Sequence, residues 1–300
     1  MSQNSKLGAH LAVLSANLIY GANYSVAKEV MPAYVQPFGF IMLRVLFTAL
    51  LFIITDFAIG GEKVELRDRW RFFLCAVFGV AINQLLFFKG LDITTPISAA
   101  LMMTSNHIMV LIAAAIILKD RITPIRIVGI VLGITGACSL ILSRVSYSEL
   151  AGHAVGDLMI LINSLSFAVF LIMVKPLMSK YSTVTVMKWV FMFGSMLVFP
   201  FGWSEFNIIP WHSFDGRIWA IVAFVVIGTT TLAYVFNTYA LKKLSPSEVS
   251  VYIYLQPLFA VMFAIMFGKD TLQTIYLLSA ALIFTGVFLA SDRFSINKAK

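Results

Sequence analysis

The chain has 300 residues, of which 60% are hydrophobic and only 12% charged, and its mean hydropathy is +0.92. A soluble domain carries about 25% charged residues, so the water-soluble classes are excluded. The apolar runs are about 18 to 25 residues long and lack the ten-residue alternation of a barrel, which leaves an all-α polytopic membrane protein.

Ten spans are expected, at about 8–28, 37–57, 71–91, 97–118, 125–143, 155–175, 184–201, 217–241, 248–268 and 272–290. The connectors between them are too short to fold as separate soluble modules. In span 1, Asn17, Tyr20, Tyr24 and Lys28 follow three- and four-residue steps along one helix face, with Asn23 beside them. No small-residue cleavage site follows this first apolar run, so it reads as a retained helix.

Span 2 opens at Pro37 and holds Arg44 seven residues on, roughly 10 Å down the helix at 1.5 Å per residue. Charge inside a bilayer is costly and usually faces a water-filled path or a partner. Arg44 is therefore either a snorkelling or structural arginine or a residue of the substrate route. Span 3 carries Gln84, Phe87 and Phe88, with Lys89 at its outer end. Lys28 and Lys89 are hydrated end charges, or else they face a vestibule with Arg44 and attract carboxylates.

Span 4 starts at Pro96, which loses no hydrogen bond in a first turn, and carries Asn106 and His107. His107 reads as a neutral imidazole bonded to a neighbouring helix or as a proton-sensitive group, its unperturbed pKa being about 6.5. Span 5 contains Gly129 and Gly133 in a GxxxG pattern, expected to pack inside its own five-helix unit, with homodimerisation as the other use. Asn163 and Ser166 in span 6, Tyr234 and Asn237 in span 8, and Tyr252 or Tyr254 with Gln256 in span 9 complete the polar set. Singly, such residues serve as interhelical glue; together they would line a polar cavity with aromatic walls.

The net charge of +8 is distributed as a membrane protein's, which argues against a nucleic-acid partner. With the N terminus inside, sixteen basic residues fall on the cytoplasmic side and five (Lys28, Lys89, Arg144, Arg217 and Lys269) on the other. This bias predicts that both termini are cytoplasmic, and the expected location is the cell's inner membrane. All five tryptophans (Trp70, Trp189, Trp203, Trp211 and Trp219) fall near span ends, where an indole suits the headgroup region. Cys75 and Cys138 have neither metal nor redox spacing. The fourteen acidic residues sit at or near span ends, so no midplane carboxylate is available for cation export.

The two halves repeat. Thr95-Pro96, Lys119-Asp120 and Thr135-Gly136 recur as Ser245-Pro246, Lys269-Asp270 and Thr285-Gly286, each 150 residues later. Five spans per copy, an odd number, would place residues 1–145 and 146–300 upside down relative to each other, an architecture of many secondary transporters.

On this pattern the chain resembles the drug/metabolite transporter superfamily of EamA type. The anchors are Leu18-Ile19-Tyr20-Gly21-Ala22-Asn23, then Pro37 with Leu43-Arg44-Val45-Leu46, and the Lys89 to Pro96 segment with its copy at Tyr239 to Pro246. It departs from that family's usual pattern in having His107 where span 4 would carry a proline, although Pro257 fits in span 9, and in having Asp120 and Asp270 where glutamates end spans 4 and 9. The resemblance implies a ten-helix secondary transporter, an exporter of small organic solutes such as amino acids, with no catalytic residue, metal or cofactor. The competing readings are an intramembrane enzyme and a non-transporting receptor or scaffold. No HExxH helix, GxSxG elbow or P-loop supports the enzyme, and inverted duplication has no evident purpose in a scaffold.

Overall fold

A computed structural model describes residues 3–117, 123–145, 151–241, 243–244, 249, 252–268 and 270–290. Lys119, Asp120, Ser245, Pro246 and Lys269 lie outside the described residues, as do the side chains of His107 and Tyr254.

The described residues contain helices and turns and no strand. The α-helices are α1 (Gln3–Val30), α2 (Pro37–Ala58), α3 (Leu66–Ala76), α4 (Asn83–Ile93), α5 (Pro96–Thr104), α6 (Asn106–Ile117), α7 (Pro124–Val145), α8 (Ala151–Lys180), α9 (Thr183–Asn207), α10 (Gly216–Ala223), α11 (Ala233–Leu241), α12 (Leu255–Met266) and α13 (Thr274–Ala290). A π-helical segment, Val77–Ile82, joins α3 to α4, and another, Phe224–Leu232, joins α10 to α11. Each trio is one continuous rod. Among the described residues, five rods are long and apolar enough to cross a membrane: Pro37–Ala58, Leu66–Ile93, His153–Lys180, Thr183–Asn207 and Gly216–Ala240. Shorter apolar helices occupy Pro124–Gly136, Leu255–Met266 and Thr274–Gly286.

Local chemistry sets the boundaries. Pro37 and Pro96 occupy first-turn positions after extended Gln36 and Thr95, and the Thr95 hydroxyl accepts the Ser98 N–H at 3.3 Å. Ser182 and Asp215 cap α9 and α10 in the same way, at 3.2 and 2.8 Å. The C-terminus of α2 is closed by Gly60 and Gly61, both at positive φ, where a side chain would be strained. Two expected spans end too early: α8 runs five residues past 175 with Pro176 inside it, and α9 runs to Asn207 with Pro200 inside it. The expected fourth span is two helices that meet at Ser105.

Helix pairing follows the 150-residue offset. α2 packs on α9 and α7 on α13; α4 packs on α8, and α11 on α1; α6 packs on α8, and α12 on α1. Each of the last two pairings is matched by the one that the offset generates.

The GxxxG expectation holds in part. In the buried Gly129, Gly133 and Gly136 face of α7, Gly133 packs against Ile108 of α6 inside the first half, and the same face also receives α13 from the second. A Cβ on Gly286 would lie 2.8 Å from the Gly133 Cα, and one on Gly136 would lie 2.8 Å from the Leu282 Cβ. The backbones touch there, and only glycine permits it. The tryptophan expectation also needs amending. Trp70, Trp203, Trp211 and Trp219 are at least 36% exposed, but Trp189 packs against Phe72 and Phe193 with its buried Nε1 unpartnered.

Candidate functional site

The site is built around a charge. Arg44, about a third of the way along α2, is 4% exposed, and no carboxylate among the described residues pairs with it. Insertion scales put such a charge at about 2.5–3.5 kcal/mol at a bilayer centre, so its surroundings must offset the cost.

They do so with uncharged groups. Arg44 Nε donates to Thr230 Oγ1 at 2.8 Å, and Nη2 donates to Thr230 Oγ1 at 2.6 Å and Thr229 Oγ1 at 3.3 Å. Both hydroxyls are committed as donors to their own helix, each to the Val225 carbonyl, at 2.6 Å from Thr229 and 3.0 Å from Thr230. With the single proton spent, each oxygen presents lone pairs to the guanidinium. The i to i−5 reach of Thr230 depends on the π-helical widening of Phe224–Leu232, a feature often found at functional sites. Below the guanidinium, the Phe88 ring lies 4.1 Å from Cζ and adds a cation–π attraction. Nη1 is left buried with no hydrogen-bond partner.

Around this group the structure gathers most of the expected residues. Tyr20 and Tyr234 lie close enough to Arg44 to interact electrostatically, and Tyr20 also neighbours Tyr24 and Asn237. Gln84, one turn before Phe88 on α4, sits beside Tyr234, with neither amide atom in a hydrogen bond of ordinary geometry. The Tyr234 hydroxyl donates to the Gly79 carbonyl at 3.3 Å and its ring packs on Phe191. Tyr24 stacks edge-on to Phe87 and donates to Gln256 Oε1 at 3.0 Å; the Gln256 amide then donates to Asn17 Oδ1 at 2.7 Å. The result is a cation with free N–H groups beside an uncommitted amide, enclosed by aromatic rings. That set can bind a carboxylate at Arg44, read a second polar group at Gln84 and cover an apolar remainder.

Other expected residues lie apart from it. Asn163 donates to the Asn83 carbonyl at 2.5 Å and Ser166 to the Phe78 carbonyl at 2.6 Å; they bind α8 to the start of α4 and to the first π segment, the gluing role. Asn106 is buried at the start of α6 with both amide atoms unpartnered, and Asn23 is buried with an unpartnered Oδ1, but no bond joins either to Arg44. Asn237, unlike these, neighbours Tyr20 in the site while its amide donates to the Ala233 carbonyl of its own helix.

Both lysines at the outer ends of spans 1 and 3 make local contacts. Lys89 pairs with Asp92 at 3.0 Å, and Lys28 donates to the Asp92 carbonyl at 3.3 Å. The Asp92 carboxylate thus holds Lys89 and its backbone carbonyl holds Lys28, and neither contact involves Arg44. Asp270, where the family's pattern has glutamate, accepts the Ile97 N–H at 3.3 Å and so helps cap α5.

Thr229 and Thr230 escaped the sequence reading. Their only signal was the Thr229-Thr230-Thr231 run at the level of Arg44 in a neighbouring span.

Comparison with known proteins agrees with this architecture. The chain is similar to the uncharacterized transporter YyaM of Bacillus subtilis (strain 168), 23% identical over 97% of this chain and 96% of that protein. It is also similar to a probable terminal-alkyne amino-acid exporter of Streptantibioticus cattleyicolor, 23% identical over 78% of this chain and 77% of that one. A solved structure described only as "Crystal structure of protein" shares the fold, with a TM-score of 0.64 at 17% identity, covering 94% of this chain and 96% of that chain. The profile of the EamA-like transporter family matches twice, over residues 7–142 and 154–292, and the chain belongs to that family.

Proposed function

We propose that this protein is a secondary transporter that exports small organic metabolites bearing a carboxylate, amino acids among them, by alternating access. The observation that carries the reading is Arg44: a buried guanidinium held by neutral oxygens, with Nη1 unpartnered and no carboxylate bonded to it among the described residues. A substrate carboxylate is the group that completes such a site. The similarity to an amino-acid exporter at 23% identity is in keeping with it.

The mechanism rests on ten spans in two inverted five-helix units, 1–145 and 146–300, that rock about a site between them. Support comes from the two family matches and from the helix pairings that the 150-residue offset interconverts. Arg44 and Gln84 come from one unit, and Thr229, Thr230 and Tyr234 from the other, so relative movement of the units would open and close the clasp.

The functional test is uptake and efflux by purified protein in liposomes, against amino acids, organic acids, nucleosides and quaternary ammonium dyes. Saturable movement of a carboxylated solute is the expected result; movement of the dyes alone would contradict the reading.

Orientation follows from the basic-residue bias, with both termini in the cytoplasm of a cell whose inner membrane holds the protein. In a background lacking Cys75 and Cys138, Lys63→Cys should resist an impermeant thiol reagent in intact cells and His212→Cys should react, since both positions are exposed. The opposite labelling would invert the topology.

A further inference from the structure

A second charged site lies at the end of the bundle where α8 finishes and α3 begins. A cavity of about 340 Å³ there is lined by Arg67, Asp68, Arg71 and Lys180. Arg67 and Arg71 are four residues apart, so they share one face of α3, and Lys180 is the last residue of α8.

The internal pairing leaves cationic capacity over. Lys180 Nζ is 2.7 Å from Asp68 Oδ2 and 2.6 Å from Glu65 Oε1. Arg67 meets Glu65 through Nε alone, at 2.6 Å, and its side chain is 80% exposed, which leaves its two terminal nitrogens for a ligand. Arg71 is exposed and forms no ion pair among the described residues. Three cations thus meet two carboxylates, and the arginines' unused N–H groups face a space large enough for a tetrahedral anion.

The flank of the cavity says where that anion comes from. Trp70, between the two arginines in sequence, is 64% exposed and stacked on Phe73, and Leu66 is 76% exposed. An exposed indole and leucine beside a cationic cavity at a helix end form the arrangement that lies at the headgroup level of a bilayer.

We infer that this cavity binds a phosphate group, supplied by the headgroup of an anionic phospholipid. The inference rests on the membrane-spanning fold and is independent of the solute at Arg44.

Native mass spectrometry of the full chain, released from detergent after incubation with equal amounts of phosphatidylglycerol and phosphatidylcholine, tests it. Each arginine near an anionic surface is worth roughly fivefold in binding, so with two of them wild type should retain phosphatidylglycerol about 25-fold over phosphatidylcholine. Arg71→Gln should lower that ratio about fivefold, and Arg67→Gln with Arg71→Gln should abolish it. Arg71→Gln breaks no ion pair, so it keeps the test clean should the double variant fold poorly. Inorganic phosphate at millimolar concentration should displace the lipid. If phosphate raises the melting temperature of wild type but not of Arg71→Gln while the lipids are retained equally, the same site takes a soluble phosphate. Equal retention of both lipids with no phosphate effect, or retention unchanged in both variants, would overturn the proposal.

Discussion

Arg44→Ala is expected to reduce transport of a carboxylated substrate at least about 100-fold while leaving the protein folded. The residue donates three hydrogen bonds to Thr229 and Thr230, and its removal leaves behind two hydroxyls whose protons are already placed on the Val225 carbonyl. No buried donor is orphaned and an intramembrane charge is lost, so stability should change little. What disappears is the group that neutralises the substrate. A charged hydrogen bond is worth about 1.5–3 kcal/mol, and about 1.4 kcal/mol is tenfold in rate, so a two-bond clasp lost from the loaded state gives the stated factor. Arg44→Lys keeps the charge without the fork and should fall between the two. Lys180 is a poor surface control, because it joins Asp68 and Glu65; Lys63, which is exposed, serves instead. Transport by a folded Arg44→Ala protein equal to that of Lys63→Ala would remove Arg44 from the site.

The second large effect belongs to stability. Asp56 near the end of α2 is 5% exposed and accepts from Lys188 Nζ at 2.5 Å and Thr185 Oγ1 at 3.0 Å on α9. At the other end of the same helix pair, Glu205 of α9 accepts the Phe38 and Gly39 N–H groups of α2 at 2.7 and 2.9 Å. The carboxylates hold the two ends of one interface. Asp56→Ala leaves Lys188 with no counter-charge in a side-chain environment that is 17% exposed, and breaking such a pair from one side costs about 3 kcal/mol. Lys188→Met in the same background removes the orphaned charge and should recover part of the loss, as read by reversible unfolding in mixed micelles. A double variant less stable than Asp56→Ala alone would mean that Lys188 contributes through its packing and not through the pair.

How far the sequence carried this picture differs from one residue to the next. Arg44 stood out because charge within an apolar span is rare, and Tyr20, Tyr24, Gln84, Tyr234 and Gln256 because polar residues recur on the inward faces of spans. The GxxxG pattern showed close packing but not its partner; Gly286 could be identified only once α7 and α13 lay side by side. Thr229 and Thr230 were hidden because a threonine in an apolar helix usually does nothing more than bond to its own backbone. Their role depends on π-helical widening, which leaves no mark in residue type. The pairing of Lys89 with Asp92 was hidden for the opposite reason. The two residues are three apart on a helix end, where hydration accounts for either charge alone, and only the closed geometry brings them to 3.0 Å.

The central claim is that a substrate carboxylate completes the coordination of Arg44. The most direct measurement is counterflow in liposomes, in which an internal carboxylated amino acid drives entry of its labelled form, with matched external competitors that differ only at that group: the amino acid, its primary amide and its decarboxylated amine. The account predicts that the amino acid competes, that the amide and the amine do not, and that Arg44→Lys weakens competition by the amino acid alone. Competition by the amine equal to that by the amino acid, undiminished in Arg44→Lys, would contradict it.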